Sequence, residues 1–343
     1  MKYSKQVLKP AVLFLSFWVF ITTNSCTIKP GTLGAQYRIF VVADSALWQT
    51  VEPQMRAVFE KELVTPHTEK SYFITMIPLD KLNSLKDRMN IFFIGILNGK
   101  GAVDQYLAKY MPQNFIQGVK EEKYFYSFNK DMFARDQISL ILLAKDVSSF
   151  GANLQAMKDE IYRKFTEKYL ARLKKTMFER DDNPSVQKYL GKHFGWSVKL
   201  QQDYFIAEED PDAKFVWLRR IHPNRWISIW ESERATGSLS LDTLKKIRNR
   251  MARKYYQGDI VVDEDLSIET IDFNGYPAQK ITGLWQNDSL LVGGPFRLYA
   301  LQDTLKNKMY FVDIAVMAPG ELKKPYLDQL EVMAHTFHTI KQK

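Results

Sequence analysis

The sequence predicts an α+β protein: antiparallel sheets with helices packed on one face, arranged as two similar modules. Three observations carry that expectation. Strand-like segments come in pairs ahead of a helix around 125–178, 214–256 and 295–337, and hairpins rather than single alternating strands argue for antiparallel pairing. A polar breaker, Asp181-Asp182-Asn183-Pro184, interrupts the chain near its middle. The 343 residues are 45% hydrophobic and 25% charged, the balance of a folded chain with room for two domains. The expected divisions are a signal peptide at 1–25, a spacer at 26–36, and α+β domains at 37–180 and 181–343.

The first 26 residues read as an export signal. Lys2, Lys5 and Lys9 make a basic start, Ala11–Ile21 an apolar run, and Thr22-Thr23-Asn24-Ser25 a polar small-residue stretch before the only cysteine, Cys26. A run of eleven residues is too short to span a bilayer, which takes ~20 apolar ones. A lone cysteine at the cut resembles a bacterial lipoprotein signal, so Cys26 is expected to carry lipid and to tether the mature chain. The expected location is the cell envelope, on an outer- or inner-membrane lipoprotein with its folded part in the periplasm. Lipidation of Cys26 leaves no thiol for disulfides, a Cys-based metal site or nucleophilic catalysis.

From Thr27 to Gln36, Pro30, Gly31 and Gly34 suggest a flexible spacer. Tyr37–Ala43 is a strand, and Asp44 or Ser45 caps a helix burying Leu47, Val51, Met55, Val58 and Phe59. Ser71–Ile77, Asn90–Leu97, Lys123–Phe128 and Gln137–Ala144 read as further strands. From about Ala152 to Phe178, Leu154, Met157, Ile161, Phe165, Tyr169, Leu173 and Met177 form one helical stripe. Beyond the breaker, Lys214–Ile221 and Trp226–Glu231 flank the turn His222-Pro223-Asn224-Arg225. A helix capped by Ser240 begins at Leu241, strands recur at Ser267–Asp272, Tyr276–Leu284, Pro295–Leu301 and Lys308–Met317, and a helix at Leu322–Phe337 closes the chain.

The net charge of +9 falls to +6 without the signal, and the excess is local. Residues 214–254 hold eleven Lys or Arg against Glu231, Glu233 and Asp242, a balance of +8. Tryptophans interleave this stretch, and alternation puts Trp217 and Arg219 on one face of their strand. Cations beside aromatic faces suit anionic glycans, lipid phosphates or nucleic acid, and nucleic acid is the least available partner in an envelope. The candidate anion-binding residues are therefore Trp217, Arg219, Arg220, Arg225, Arg248 and Arg253.

Other groupings read as structure. Gly283-Leu284-Trp285 and Gly293-Gly294-Pro295-Phe296 suggest a bulge or a close backbone approach, with a ligand cradle as the functional alternative. Glu331, His335 and His338 share one side of the last helix and read as an exposed patch, three helix residues being an incomplete metal site. Ser185-Val186-Gln187-Lys188 has S-x-x-K spacing without the accompanying motifs, so Ser185 reads as a helix start. No cofactor motif and no metal site is expected.

At Phe215-Val216-Trp217-Leu218-Arg219-Arg220, Gly283-Leu284-Trp285 and Gly293-Gly294-Pro295-Phe296, together with the lipoprotein-like start, the chain resembles a family of uncharacterised Bacteroidetes lipoproteins known as a domain of unknown function. The similarity is strongest from Phe215 to Ala334. It implies an envelope lipoprotein and carries no activity or catalytic residue with it. The Asn274-Gly275-Tyr276 turn, long strands and closing helix resemble Mog1/PsbP-like sandwiches, mostly adaptor modules. The expectation is a lipid-anchored, non-enzymatic module for an envelope protein, anionic glycan or lipid. The alternatives are an envelope hydrolase using His193 or His222 and a structural assembly factor.

Overall fold

The computed structural model describes residues 29–179, 181–233 and 237–340; Cys26 and the signal lie outside them. In the first half, β1 (Arg38–Val42), α1 (Ser45–Phe59), the small hairpin β2 (Glu62–Leu63) and β3 (Glu69–Lys70), β4 (Phe73–Ile77), α2 (Leu82–Leu85) and β5 (Asn90–Ile96) follow in order. Then come α3 (Ala102–Tyr110), α4 (Gln113–Lys120), β6 (Tyr126–Lys130), β7 (Ile138–Ala144) and the long α5 (Val147–Phe178). Five strands form one sheet in the order β4-β1-β5-β7-β6.

The α+β class holds, with one mixed and one antiparallel main sheet. The finer expectation for the first half does not. β1 pairs parallel with β4 and β5, β5 pairs parallel with β7, and only β6 runs antiparallel. Helices cover both faces: α1 and α5 bury Ile39, Val41, Phe92 and Leu140, while α3 and α4 bury Val42, Ile91, Phe93 and Ile141. Continuous apolar strands such as β5 and β7 are what two-sided burial demands. α3 and α4 had no sequence-level expectation; at nine and eight residues they are shorter than the window in which a 3.6-residue period shows.

α5 begins five residues ahead of its sequence-based start. Asp146 accepts the Ser149 N–H at 2.8 Å, and the Ser149 hydroxyl accepts the Asp146 N–H at 3.0 Å. This reciprocal cap offsets the weak helix formers Ser148, Ser149 and Gly151. The stretch expected to be a flexible spacer is pinned from Lys29 onward: Arg135 N–H donates to Pro30 O at 2.8 Å and Leu33 N–H to Asp87 O at 2.9 Å.

The second half contains α6 (Pro184–Phe194), β8 (Trp196–Ser197), β9 (Phe205–Asp210), β10 (Phe215–Arg220), β11 (Asn224–Glu233) and α7 (Leu241–Tyr255). β12 (Ile260–Val261), β13 (Ser267–Phe273), β14 (Tyr276–Asn287), β15 (Val292–Asp303), β16 (Lys308–Met317), α8 (Lys324–Ala334) and β17 (His338–Thr339) complete it. Its large sheet runs β12-β14-β15-β16-β11-β10-β9, with β13 beside β14, and every pair is antiparallel. Here too the one-face expectation is corrected: α7 covers Trp226, Trp230 and Phe311, and α8 covers the opposite face at Ile227, Val312 and Ile314. Parallel pairing in one half and antiparallel in the other means the two modules are not alike.

The halves share a core, because α5 packs on α8 and their apolar residues join one cluster. The joint is polar at its centre. Glu69 accepts the backbone N–H groups of Lys323 and Lys324 at 2.8–3.1 Å, satisfying the start of α8 from the other half of the chain. Tyr169 donates to Asp328 at 2.5 Å, and the Lys324 ammonium reaches the same carboxylate at 2.6 Å.

Candidate functional site

The candidate site grows from two adjacent strands and one helix. β10 and β11 pair so that Trp217 stands opposite Ser228 and Arg219 opposite Trp226, which puts these side chains on one face. Ser240 starts α7 over that face, its hydroxyl accepting the Thr243 N–H at 3.1 Å. The helix then lays Leu244, Met251 and Tyr255 against the sheet and delivers Tyr256 just past its end.

Trp217, Trp226, Trp285 and Tyr256 meet there, with neighbouring ring centroids 5.2–6.1 Å apart and steeply inclined planes. They line a cavity of about 320 Å³ completed by Arg219, Asn224, Asp259 and Met317. Its floor depends on glycine: Trp285 is paired with Gly294, and a Cβ there would sit 1.9 Å from the Val316 carbonyl oxygen. The β14–β15 register is unbroken through this region. The close-approach expectation for these glycines is thus met and the bulge is not.

The Arg219 guanidinium lies 5.1 Å from the Trp217 ring centroid, and its Nε donates to Asn224 at 2.8 Å. Among the described residues no carboxylate stands within ion-pair distance of it. Asp259 is nearly wholly buried at the cavity wall and accepts from Asn287 Nδ2 at 2.9 Å. Burial pushes its carboxyl up to about 6, against the opposing pull of the Asn287 hydrogen bond and Arg248. All three indole N–H groups and the Tyr256 hydroxyl lack hydrogen-bond partners. That is a concentration of unmet donors native interiors seldom leave at one place.

The six candidate anion-binding residues separate in three dimensions. Trp217 and Arg219 line the cavity. Arg248 lies beneath it, fully buried and paired with Asp313 at 3.0 Å, its guanidinium 3.9 Å from the Phe296 ring centroid. Burial holds the Asp313 carboxyl above the usual range despite that neighbour. Arg225 points to the other face, buried over the Tyr326 ring and bonded to Gln329 at 3.1 Å. Arg220 pairs with Asp203 at 2.5 Å, and Arg253 is exposed on α7. Carboxylates from outside 214–254, namely Asp203, Asp210, Asp263 and Asp313, offset much of its +8.

Other sequence-level candidates resolve as structure. Glu331 is held by Arg297 at 3.1 Å and by the Tyr299 hydroxyl, so the expected exposed trio is corrected. Arg297 holds that carboxyl down to about 2 although burial opposes it. His335 stacks on Phe273 at 4.2 Å, and only His338 is exposed. No group of three His, Cys, Asp or Glu able to hold a metal occurs among the described residues. Ser185 bonds to Asn183, the cap of α6. Tyr256 and Asp259 had no functional reading in the sequence; for Trp285 the neighbouring glycines offered a ligand cradle as the alternative to a bulge.

The first half offers a contrasting place. Parallel sheets bind ligands beyond the carboxyl ends of their strands, at a helix N-terminus. Here that helix is α3, and Asp44 already accepts the N–H groups of Val103 and Asp104 at 3.0 and 3.3 Å. Asp104 accepts those of Ile96 and Gly101. A Cβ on Gly101 would lie 2.1 Å from the Asp44 carboxylate.

Comparison with known proteins gives two domain matches and no function. Residues 183–336 match the model of a domain of unknown function (DUF4837), and residues 32–178 match that of a second domain of unknown function (DUF8532). No curated protein matches the chain. Among solved structures, cyanobacterial PsbP (CyanoP) from Synechocystis sp. PCC 6803 shares 14% identity over 43% of this chain and 87% of its own, with a TM-score of 0.31. The Saccharomyces cerevisiae Ran-binding protein Mog1p shares 13% over 43% of this chain and 90% of its own, with a TM-score of 0.32. These are weak fold-level echoes.

Proposed function

We propose that the protein is a membrane-tethered binding module of the cell envelope. Lipid on Cys26 holds it at a membrane, and the aromatic cavity of the second half receives an anionic envelope component. The ligand chemistry is a carboxylate or phosphate joined to a body that lies against indole faces, as an acidic glycan or a lipid headgroup offers. One observation carries the reading: Arg219 faces the cavity over Trp217 with no carboxylate to neutralise it, while Arg220 and Arg248 are paired. A cation beside aromatic faces in a desolvated wall favours an anion with an apolar side. The hydrolase alternative has less support: His193 shares a cavity of about 650 Å³ with Glu231 and Tyr310, but among the described residues no hydrogen bond joins it to either, its ring stacks on Tyr189 at 4.3 Å, and His222 stands exposed in its turn.

The test is titration of the purified protein with an oligoglucuronide and, separately, with glycerol phosphate, read by tryptophan fluorescence at low and high salt. A saturable change that weakens with salt is expected, and Arg219→Glu should lower affinity by about tenfold or more. Unchanged affinity in that variant excludes the cavity.

A further inference from the structure

A second basic region lies in the first half, between α5 and the free edge of β6. β6 ends the sheet and pairs with β7 alone. Between it and α5 are two adjoining cavities of about 260 and 430 Å³ that share Lys168. Arg172 lines the smaller one and is buried, and its acceptors are all neutral: Met89 O at 2.8 Å, Asp136 O at 3.2 Å and Asn90 Oδ1 at 3.0 Å. Its Nε and the nearby Asn129 Nδ2 have no acceptor. Lys130 and Lys168 stand exposed at the rim without a carboxylate partner among the described residues, while Lys175 is paired with Asp136 at 2.7 Å. A buried guanidinium with no carboxylate in ion-pair distance, in a cavity whose one acid, Asp136, is already held by Lys175, attracts an anion under these unpaired lysines.

The route of the chain says which anion. Residues 29–33 run along this same end: the Lys29 ammonium donates to Asp131 O, Gly31 bridges to Arg135, and Leu33 bridges to Arg88. Cys26 lies three residues before Lys29, and three residues span at most about 11 Å. That is close to one Debye length at physiological salt, about 8 Å. We infer that this end of the first half is the membrane-facing surface, with the α5–β6 cavity seating the phosphate of an anionic phospholipid headgroup. The inference rests on the reading that Cys26 carries the lipid. Exposed Lys29, Lys86, Lys130, Arg135 and Lys168 surround the approach, and juxtamembrane cations of this kind bind anionic leaflets additively.

The experiment uses the full-length protein purified from membranes and placed in nanodiscs of phosphatidylcholine alone or with phosphatidylglycerol. Mass spectrometry first reads the acyl modification on Cys26, so a failure of the tether is seen separately. Hydrogen exchange then reads the bilayer contact. Protection of 126–136 and 164–175 in the anionic discs and not in the neutral ones is expected, with α8 unchanged as an internal control. Lys130→Glu with Lys168→Glu, both at exposed positions, should abolish it, and should weaken binding to anionic vesicles by on the order of a hundredfold. Equal protection in both discs, or no protection in either, overturns the inference. So does protection by soluble glycerol phosphate with none from the anionic discs, which would mark a free-anion site.

Discussion

At the carboxyl ends of β1 and β5 the polar groups are satisfied by the chain itself, whereas in the second half they converge on a cavity and stay unmet. Asp44 and Asp104 fill the N-terminus of α3 and the turn before it. Around Trp226, by contrast, three indoles and a phenol have no partners, and the Arg219 charge has no carboxylate. Both regions are built at the ends of interior strands beside a helix end. The difference is whether the sequence supplies its own anion. Where it does, the region is closed to ligands; where it does not, the region is the better place to look for one.

The harshest way to break the comparison is to remove the ion pair under the cavity. Asp313→Ala leaves Arg248 charged, buried and alone, and should cost about 3–5 kcal/mol, measured by urea unfolding. A loss below about 1 kcal/mol would mean the floor is already wet and the cavity deeper than described. Next is the acid in the wall. The fold favours protonated Asp259, since burial raises that carboxyl to about 6 from an ordinary 3.8. Its contribution is therefore fully present below about pH 4 and is lost as pH rises through about 6, on the order of 3 kcal/mol. Asp259→Asn should flatten that part of the stability curve, and an unchanged curve would reassign the effect.

Smaller changes sharpen the contrast. Asp44→Ala strips the acceptor from the start of α3 and should lower stability by about 1 kcal/mol. Sulfate should then restore part of the loss, because an emptied helix N-terminus accepts an anion. Sulfate dependence equal to that of the unaltered protein would show the region was not closed by Asp44. Smallest of all, Tyr169→Phe removes one hydrogen bond to Asp328 across the joint, while Lys324 still holds that carboxylate. A cost of about 1 kcal/mol is expected, with both halves unfolding together. Separate transitions would show that the shared core does not couple them.

Much of the fold could be read from residue order. The strand at Tyr37–Ala43, the stripe of α5, the Ser240 cap of α7 and the four strands from Ser267 to Met317 all fall where periodicity and capping chemistry put them. The partners of those strands could not be read. β5 and β7 are uniformly apolar, a pattern that reports burial on both faces and is silent about direction. The candidate site was half legible for a similar reason. Alternation put Trp217 and Arg219 on one face, but Trp285, Tyr256 and Asp259 come from segments 30–70 residues away.

By itself the sequence determined where most of the elements lie and which residues are cationic or aromatic. These are local properties, set by side-chain period, turn chemistry and composition. Only the tertiary structure decided which of those charges remain charges to a ligand. Asp313 and Asp203 approach their arginines from 65 and 17 residues away, so a segment that sums to +8 along the chain presents only Arg219 to the cavity without a carboxylate beside it. Electrostatic energy depends on distance in space and on burial, and neither is a property of sequence position.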